Sequence, residues 1–248
     1  MSDAPILVAR AMVARGGRSP LELAVARGEM VCIVGPKGSG KTSLLDALGG
    51  LEAPHSGSVD LAGRRTDALD SKAWLDLRRR AAFVIAEAPL LSVVDALVNV
   101  TLPAIYHSIG TPTEVREQAL ALLERLGWRG DLTLLPAFLD EHQQRLLALA
   151  RCLILKPVVL LIDEPFRISD VSGWRHFGSV LSGVRSDGVA VVMVTHNLAF
   201  VREAQARIVF CGVEGPRCFV DWREFSHDPS PEVEGFLAEF GFHAATVL

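Results

Sequence analysis

The chain has 248 residues, half of them hydrophobic, and a formal net charge of −4. That apolar share excludes global disorder, and the mildly acidic balance gives no case for nucleic-acid binding. No apolar run approaches the roughly 20 residues that cross a bilayer, and the N-terminus lacks a signal-peptide apolar stretch, so a cytoplasmic chain or a peripheral subunit on a membrane partner is expected.

Short apolar strands alternate with helical patterns, the mark of an α/β domain with a largely parallel sheet. The buried run "MVCIVG" (30–35) predicts a strand ending in glycine, and "KTSLLDALGGL" then opens a helix. "SVDLAG" (58–63) predicts a strand of an antiparallel flank, and "RRAAFVIA" (79–86) a further strand. The charges Arg78, Arg79 and Arg80 read as a solvated helix end, with lipid headgroups as the alternative partner. From about 87 to 157 the pattern turns helical. Thr111-Pro112-Thr113-Glu114 is a capping box with proline at the first helical position. Val115, Ala119, Leu122, Leu123 and Leu126 follow at helical spacing, and Gly127 ends the run. Strands resume with "VVLLID" (158–163), "VAVVMVT" (189–195) and "RIVFCG" (207–212). The tail predicts a helix capped by Ser230, with Pro231 in its first turn and Val233, Phe236, Leu237 and Phe240 on one face. That face packs on its own domain or reaches a neighbouring subunit.

Cys32, Cys152, Cys211 and Cys218 form no C-x-x-C pair and read as small core or surface residues, with a metal site second. Lysine occurs only at positions 37, 41, 72 and 156, against a large excess of arginine. Two of these fall in one glycine-rich loop, which marks Lys41 as chosen for its chemistry.

That loop, "GPKGSGKT" from Gly35 to Thr42, fits G-x-x-x-x-G-K-[ST] between a predicted strand and a predicted helix. Its glycines let successive backbone N–H groups converge on a triphosphate, and the helix N-terminus adds positive dipole. Gly35, Pro36, Lys37, Gly38, Ser39, Gly40, Lys41, Thr42 and Ser43 are the expected nucleotide-binding set. Lys41 would reach the β- and γ-phosphates, and the Thr42 hydroxyl would bind Mg²⁺. The apolar run of "VVLLIDEP" carries Asp163 to a strand's C-terminal end, where it can hold Mg²⁺ through water. Glu164 follows and can polarise the attacking water as general base. His196 ends the next buried strand, placed to contact the γ-phosphate. Alone it would read as a strand-end histidine; beside Asp163-Glu164 and the glycine loop it reads as catalytic.

With "RGEMVCIVGPKGSGKTSLL", "QQRLLALARCLILKPVVLLIDEPF" and "VVMVTHN" in this order, the chain resembles the ATP-binding cassette (ABC) transporter ATPases over almost its whole length. The resemblance implies a P-loop NTPase with a RecA-like core, an antiparallel β flank and an inserted α-helical subdomain. It implies one nucleotide-binding domain, with 1–86 and 158–212 as core, 87–157 as helical subdomain and 213–248 as C-terminal extension. It also implies ATP and Mg²⁺, transmembrane permease subunits, a cytoplasmic-face position on the bacterial inner membrane, and a head-to-tail dimer. In that dimer each ATP lies between one subunit's P-loop and the other's signature helix. "NVTLPAIY" (99–106), "DEPF" (163–166) and "SPEVEGFL" (230–237) look most like the lipid-trafficking (Mla/MCE-type) members, with lipoprotein-release and MacB-type ATPases close behind.

Three positions depart from the family. Its L-S-G-G-Q signature aligns with Phe138-Leu139-Asp140-Glu141-His142, so the serine and both glycines are absent. One carboxylate facing one phosphate charge at about 4 Å and an effective dielectric near 20 costs roughly 4 kcal/mol. As structure the change is benign: Asp140 suits the N-cap and Glu141 the helix dipole. Ala86 stands where the family's glutamine senses Mg²⁺ and water, and Glu87 would serve only after a one-residue shift. Arg15 holds the place of the adenine-stacking aromatic; its bland alternative is a solvated turn residue. The expected function is an ATPase subunit, paired with a second ATPase subunit as a homodimer or, preferably, a heterodimer. The alternative is a weakly catalytic nucleotide-binding structural or regulatory subunit.

Overall fold

The computed structural model describes residues 4–85, 89–164 and 171–242. In chain order the N-terminal half contains β1 (Leu7–Val13), β2 (Leu21–Val25), β3 (Met30–Val34), α1 (Lys41–Leu48), β4 (Ser56–Leu61), β5 (Arg64–Arg65), α2 (Ser71–Arg80) and β6 (Ala81–Val84). Three helices follow: α3 (Ala96–Tyr106), α4 (Pro112–Arg125) and α5 (Glu141–Leu153). Then come β7 (Val159–Asp163), α6 (Val171–Ser186), β8 (Ala190–Val194), α7 (Leu198–Glu203), β9 (Arg207–Gly212), β10 (Gly215–Phe219), α8 (Trp222–Ser226) and α9 (Pro231–Glu239).

The main sheet has six strands in the order β10-β9-β3-β8-β7-β6, parallel throughout except for the edge strand β10. β3 and β8 are buried at every position because helices or a second sheet cover both faces, which is why they read as continuous apolar runs. The second sheet is antiparallel, ordered β2-β1-β4-β5, and shares with α1 a core against one face of the main sheet. The flank foreseen at 58–63 is β4, which begins earlier, at Ser56. On the opposite face, α3, α4, α5 and α9 share the other core.

α4 follows its sequence signals: Thr111 and Glu114 exchange capping bonds, Pro112 opens the helix, and Val115, Ala119 and Leu123 are buried. The strand expected over 79–86 begins later. Arg78, Arg79 and Arg80 form the last turn of α2, where cations complement the helix dipole. Arg80 donates to the Ala62 carbonyl at 3.1 Å, and the Arg78 guanidinium stands 6.0 Å from the Trp74 ring centre. The tail helix α9 packs on its own chain: Ser230 caps it, and Val233, Phe236 and Leu237 are buried. At roughly 1.5–3 kcal/mol for each fully buried side chain, these three residues anchor it firmly.

Candidate functional site

β3 runs straight into the glycine loop, and α1 starts at Lys41. Gly40 takes the N-cap position with φ 85°, a left-handed conformation that disfavours any side chain. Gly35 has φ 147°, and a Cβ there would come within 2.5 Å of the Cys211 carbonyl oxygen. Glycine at 35 therefore lets β9 lie directly against the loop. Lys41 is 6% exposed, and its ammonium donates to the Gly35 and Pro36 carbonyls at 3.0 and 2.7 Å. Burial lowers its pKa, with Cys211, Glu164 and Asp163 opposing that shift. The Ser39 hydroxyl is buried with no hydrogen-bond partner among the described residues, a donor left for an incoming anion. Beside the loop lies a cavity of about 590 Å³, lined by Lys37, Gly38 and Ser43 together with Arg15, Val213 and Glu232.

Asp163 ends β7, and Glu164 follows it at φ 42°, a rare conformation for a side-chain-bearing residue. The Glu164 N–H donates to the Val194 carbonyl at 3.1 Å, which helps hold that geometry against β8. β8 lies between β3 and β7, so the phosphate loop, Asp163-Glu164 and His196 meet at the carboxyl ends of three adjacent parallel strands. Ligands of open α/β sheets collect at this end. The Thr42 hydroxyl donates to Asp163 at 3.2 Å. His196 Nε2 stands 3.1 Å from Glu164 Oε1 but off the line of a hydrogen bond.

Burial, then the charge of Asp163, pushes the Glu164 carboxyl up to about 7. Burial, then Lys41 and Lys37, lowers His196. Both shifts favour neutral forms, as in sites that trade protons near pH 7. A carboxyl raised in the fold weakens the fold as it ionises. Its stabilising share is complete below the unfolded value near 4.5 and is lost as pH rises through about 7. The Glu164→Gln variant is therefore expected to melt like the parent at pH 4.5 and higher than the parent at pH 8. Parallel melting curves over that range would refute this assignment.

At the start of α5, Asp140 caps the helix and exchanges bonds with Gln143, while Glu141 lies in the first turn and pairs with Arg145 at 2.5 Å. This acidic helix start does not line the P-loop cavity. Arg15 does line it, largely exposed and 3.9 Å from Glu52. Ala86 and Glu87 lie outside the described residues. The four cysteines are free, and among the described residues no three His, Cys, Asp or Glu side chains cluster as a metal site. Sequence reasoning missed Glu232 in the cavity wall. Its sequence traces are an acid in the first turn of a capped helix and, far upstream, the glycine at 212.

The ABC transporter family profile matches residues 19–167. The macrolide export ATP-binding/permease protein MacB 1 of Aeromonas hydrophila is 38% identical over 222 residues, covering 89% of this chain and 34% of that protein. The methionine import ATP-binding protein MetN of Brucella abortus is 31% identical, covering 88% of this chain and 59% of that protein. The chain thus spans about a third of its MacB relative and somewhat over half of MetN. Among solved structures, an ATP-binding cassette dimer in a post-hydrolysis state with ADP and Pi superposes with a TM-score of 0.74 at 28% identity. It covers 83% of this chain and 94% of that one. With a matched profile, curated relatives and a fold that assembles the phosphate loop with its acidic and histidine partners, the chain belongs to the ABC transporter family of ATP-binding cassettes.

Proposed function

We propose that this chain is the ATP-hydrolysing subunit of a bacterial ABC transporter, one nucleotide-binding domain at the cytoplasmic face of the inner membrane. The observation that carries the proposal is the meeting of Lys41, Thr42, Asp163, Glu164 and His196 on three adjacent strand ends. The loop amides from Gly35 to Ser43, with the Ser39 hydroxyl and Lys41, receive the triphosphate. Glu164 draws a proton from the attacking water, and His196 orients the γ-phosphate. The Thr42 hydroxyl and Asp163 are hard oxygen donors beside the loop, a pair that would hold Mg²⁺. When bound, that ion neutralises charge on the phosphate oxygens.

Permease partners are supported by one surface. Val98, Leu102, Ile105 and Tyr106 of α3 are exposed, as are Leu91 and Val93 of the preceding loop. The buried Asn99 carboxamide ties that loop down, accepting from Leu91 N–H and donating to the Leu91, Val94 and Asp95 carbonyls. A stiffened apolar face of this kind suits a protein partner. Among the described residues no helix is long and apolar enough to cross a membrane. Lipid-type cargo rests on the Mla/MCE resemblance of 99–106, 163–166 and 230–237. A MacB-type exporter is the second reading, favoured by the relative at 38% identity.

A heterodimer is preferred to a homodimer because Asp140 and Glu141 would face the partner's nucleotide. Each carboxylate at about 4 Å would cost roughly 4 kcal/mol, on the order of a thousandfold in the clamped state. In a heterodimer, a subunit with a full L-S-G-G-Q would complete this chain's own P-loop site. The isolated chain is therefore expected to be a slow ATPase, accelerated about 10²-fold or more by a different ATPase subunit. The check is turnover alongside subunit stoichiometry from native mass spectrometry. A homodimeric complex turning over rapidly with both acids in place would refute the pairing.

A further inference from the structure

The turn between β9 and β10 forms part of the cavity wall, and side chains from two distant segments hold it. The Ser19 hydroxyl donates to the Glu214 carbonyl at 2.5 Å. From the other side Glu232, in the first turn of α9, accepts the Val213 N–H. Its carboxylate lies across Gly212, where a Cβ would come within 2.6 Å of Oε1. A glycine at 212 is thus what admits the carboxylate. One residue earlier on the same strand, the Cys211 carbonyl abuts Gly35 of the phosphate loop. The C-terminal helix therefore reaches the nucleotide cavity through one side chain.

That side chain is an acceptor with capacity to spare. An ionised carboxylate offers about four lone-pair sites, and Val213 uses one. It cannot serve the phosphates, whose charge it repels. They belong at the loop end, with Lys41 and the α1 N-terminus. The rest of the lining, which includes Arg15 and the β9–β10 turn, is left for the nucleoside. A nucleoside carries O–H donors on its ribose and, in adenine, an exocyclic N–H donor. We propose that Glu232 is a nucleoside-contacting specificity residue, accepting a hydrogen bond from such a donor. The proposal rests on the P-loop reading above and adds the group that recognises what the phosphates are attached to.

The test uses the full chain and equilibrium titration with the Mg²⁺ complexes of ATP, 2′-deoxy-ATP, 3′-deoxy-ATP and inosine triphosphate. The parent is expected to prefer ATP about tenfold over at least one analogue, the worth of one charge-assisted hydrogen bond. Glu232→Ala should weaken ATP about tenfold and leave the disfavoured analogue unchanged, so the preference vanishes. Gly212→Ala, which displaces the carboxylate without removing it, should give the same pattern. Glu232→Gln, which keeps an acceptor and loses the charge, should fall between. The analogue that loses its handicap tells ribose from base. Equal ATP-to-analogue ratios in parent and Glu232→Ala overturn the proposal, including the case where every nucleotide weakens together, which marks a purely structural pin. A parent that binds no Mg-ATP overturns the P-loop reading and this inference with it; a parent that binds ATP with unchanged ratios overturns this inference alone.

Discussion

In the Glu164→Gln variant, Mg-ATP binding is expected to persist while turnover falls about 10²–10⁴-fold, the usual worth of a positioned general base. Size and backbone demands are matched: glutamine meets the same φ of 42° and the same neighbours, so the change removes basicity and little else. The carboxylate is set for the task because burial and Asp163 raise its pKa to about 7, where it is ionised enough to act and basic enough to take a proton. The sign is testable. A base works ionised, so kcat/KM should rise with pH and level off above about 7, a limb belonging to the free enzyme. A glutamine variant that keeps the parent rate would place the base on another side chain or in another subunit.

How much of this was legible depended on how local each signal was. α4 could be read almost entirely from Thr111 to Gly127 because cap, proline and apolar stripe act within a few residues. β3, β7, β8 and β9 announced themselves as short apolar runs because the main sheet is covered on both faces. β1 and β2 went unread. They are half-buried strands, β2 alternating buried Leu21, Leu23 and Val25 with exposed Glu22 and Ala24, and the pairing of β1 with β4 is a long-range fact. The apolar run after Arg79 and Arg80 predicts that both begin a strand, yet the Ala81 N–H still bonds back to Leu77 and closes α2. The same contrast governs the site. The phosphate loop is one contiguous motif, and Asp163-Glu164 and His196 sit at the ends of legible strands. Glu232 enters only by tertiary contact, through a side chain that crosses a glycine on another element.

Lys41→Ala is expected to weaken Mg-ATP binding by at least about 10²-fold, so that concentrations saturating the parent give no measurable heat in a calorimetric titration. Without nucleotide, the buried ammonium is satisfied by the Gly35 and Pro36 carbonyls of its own loop. Those two bonds hold the cation at the centre of the loop at little reorganisation cost, and a triphosphate arriving there meets a charge already shielded from water. Charge-assisted hydrogen bonds are worth roughly 1.5–3 kcal/mol each, and Lys41 can offer one to each of two phosphates. Alanine removes both and leaves the two carbonyls pointing at an anion. Arginine is a poor rescue because its planar fork does not fit where a compact ammonium is enclosed. The control is Lys37, in the same loop but exposed, where solvent screens the charge and alanine should cost only a few-fold. Equal losses at both positions would mean that bulk charge attracts the nucleotide, and parent-like affinity in Lys41→Ala would end the assignment of this loop as the triphosphate site.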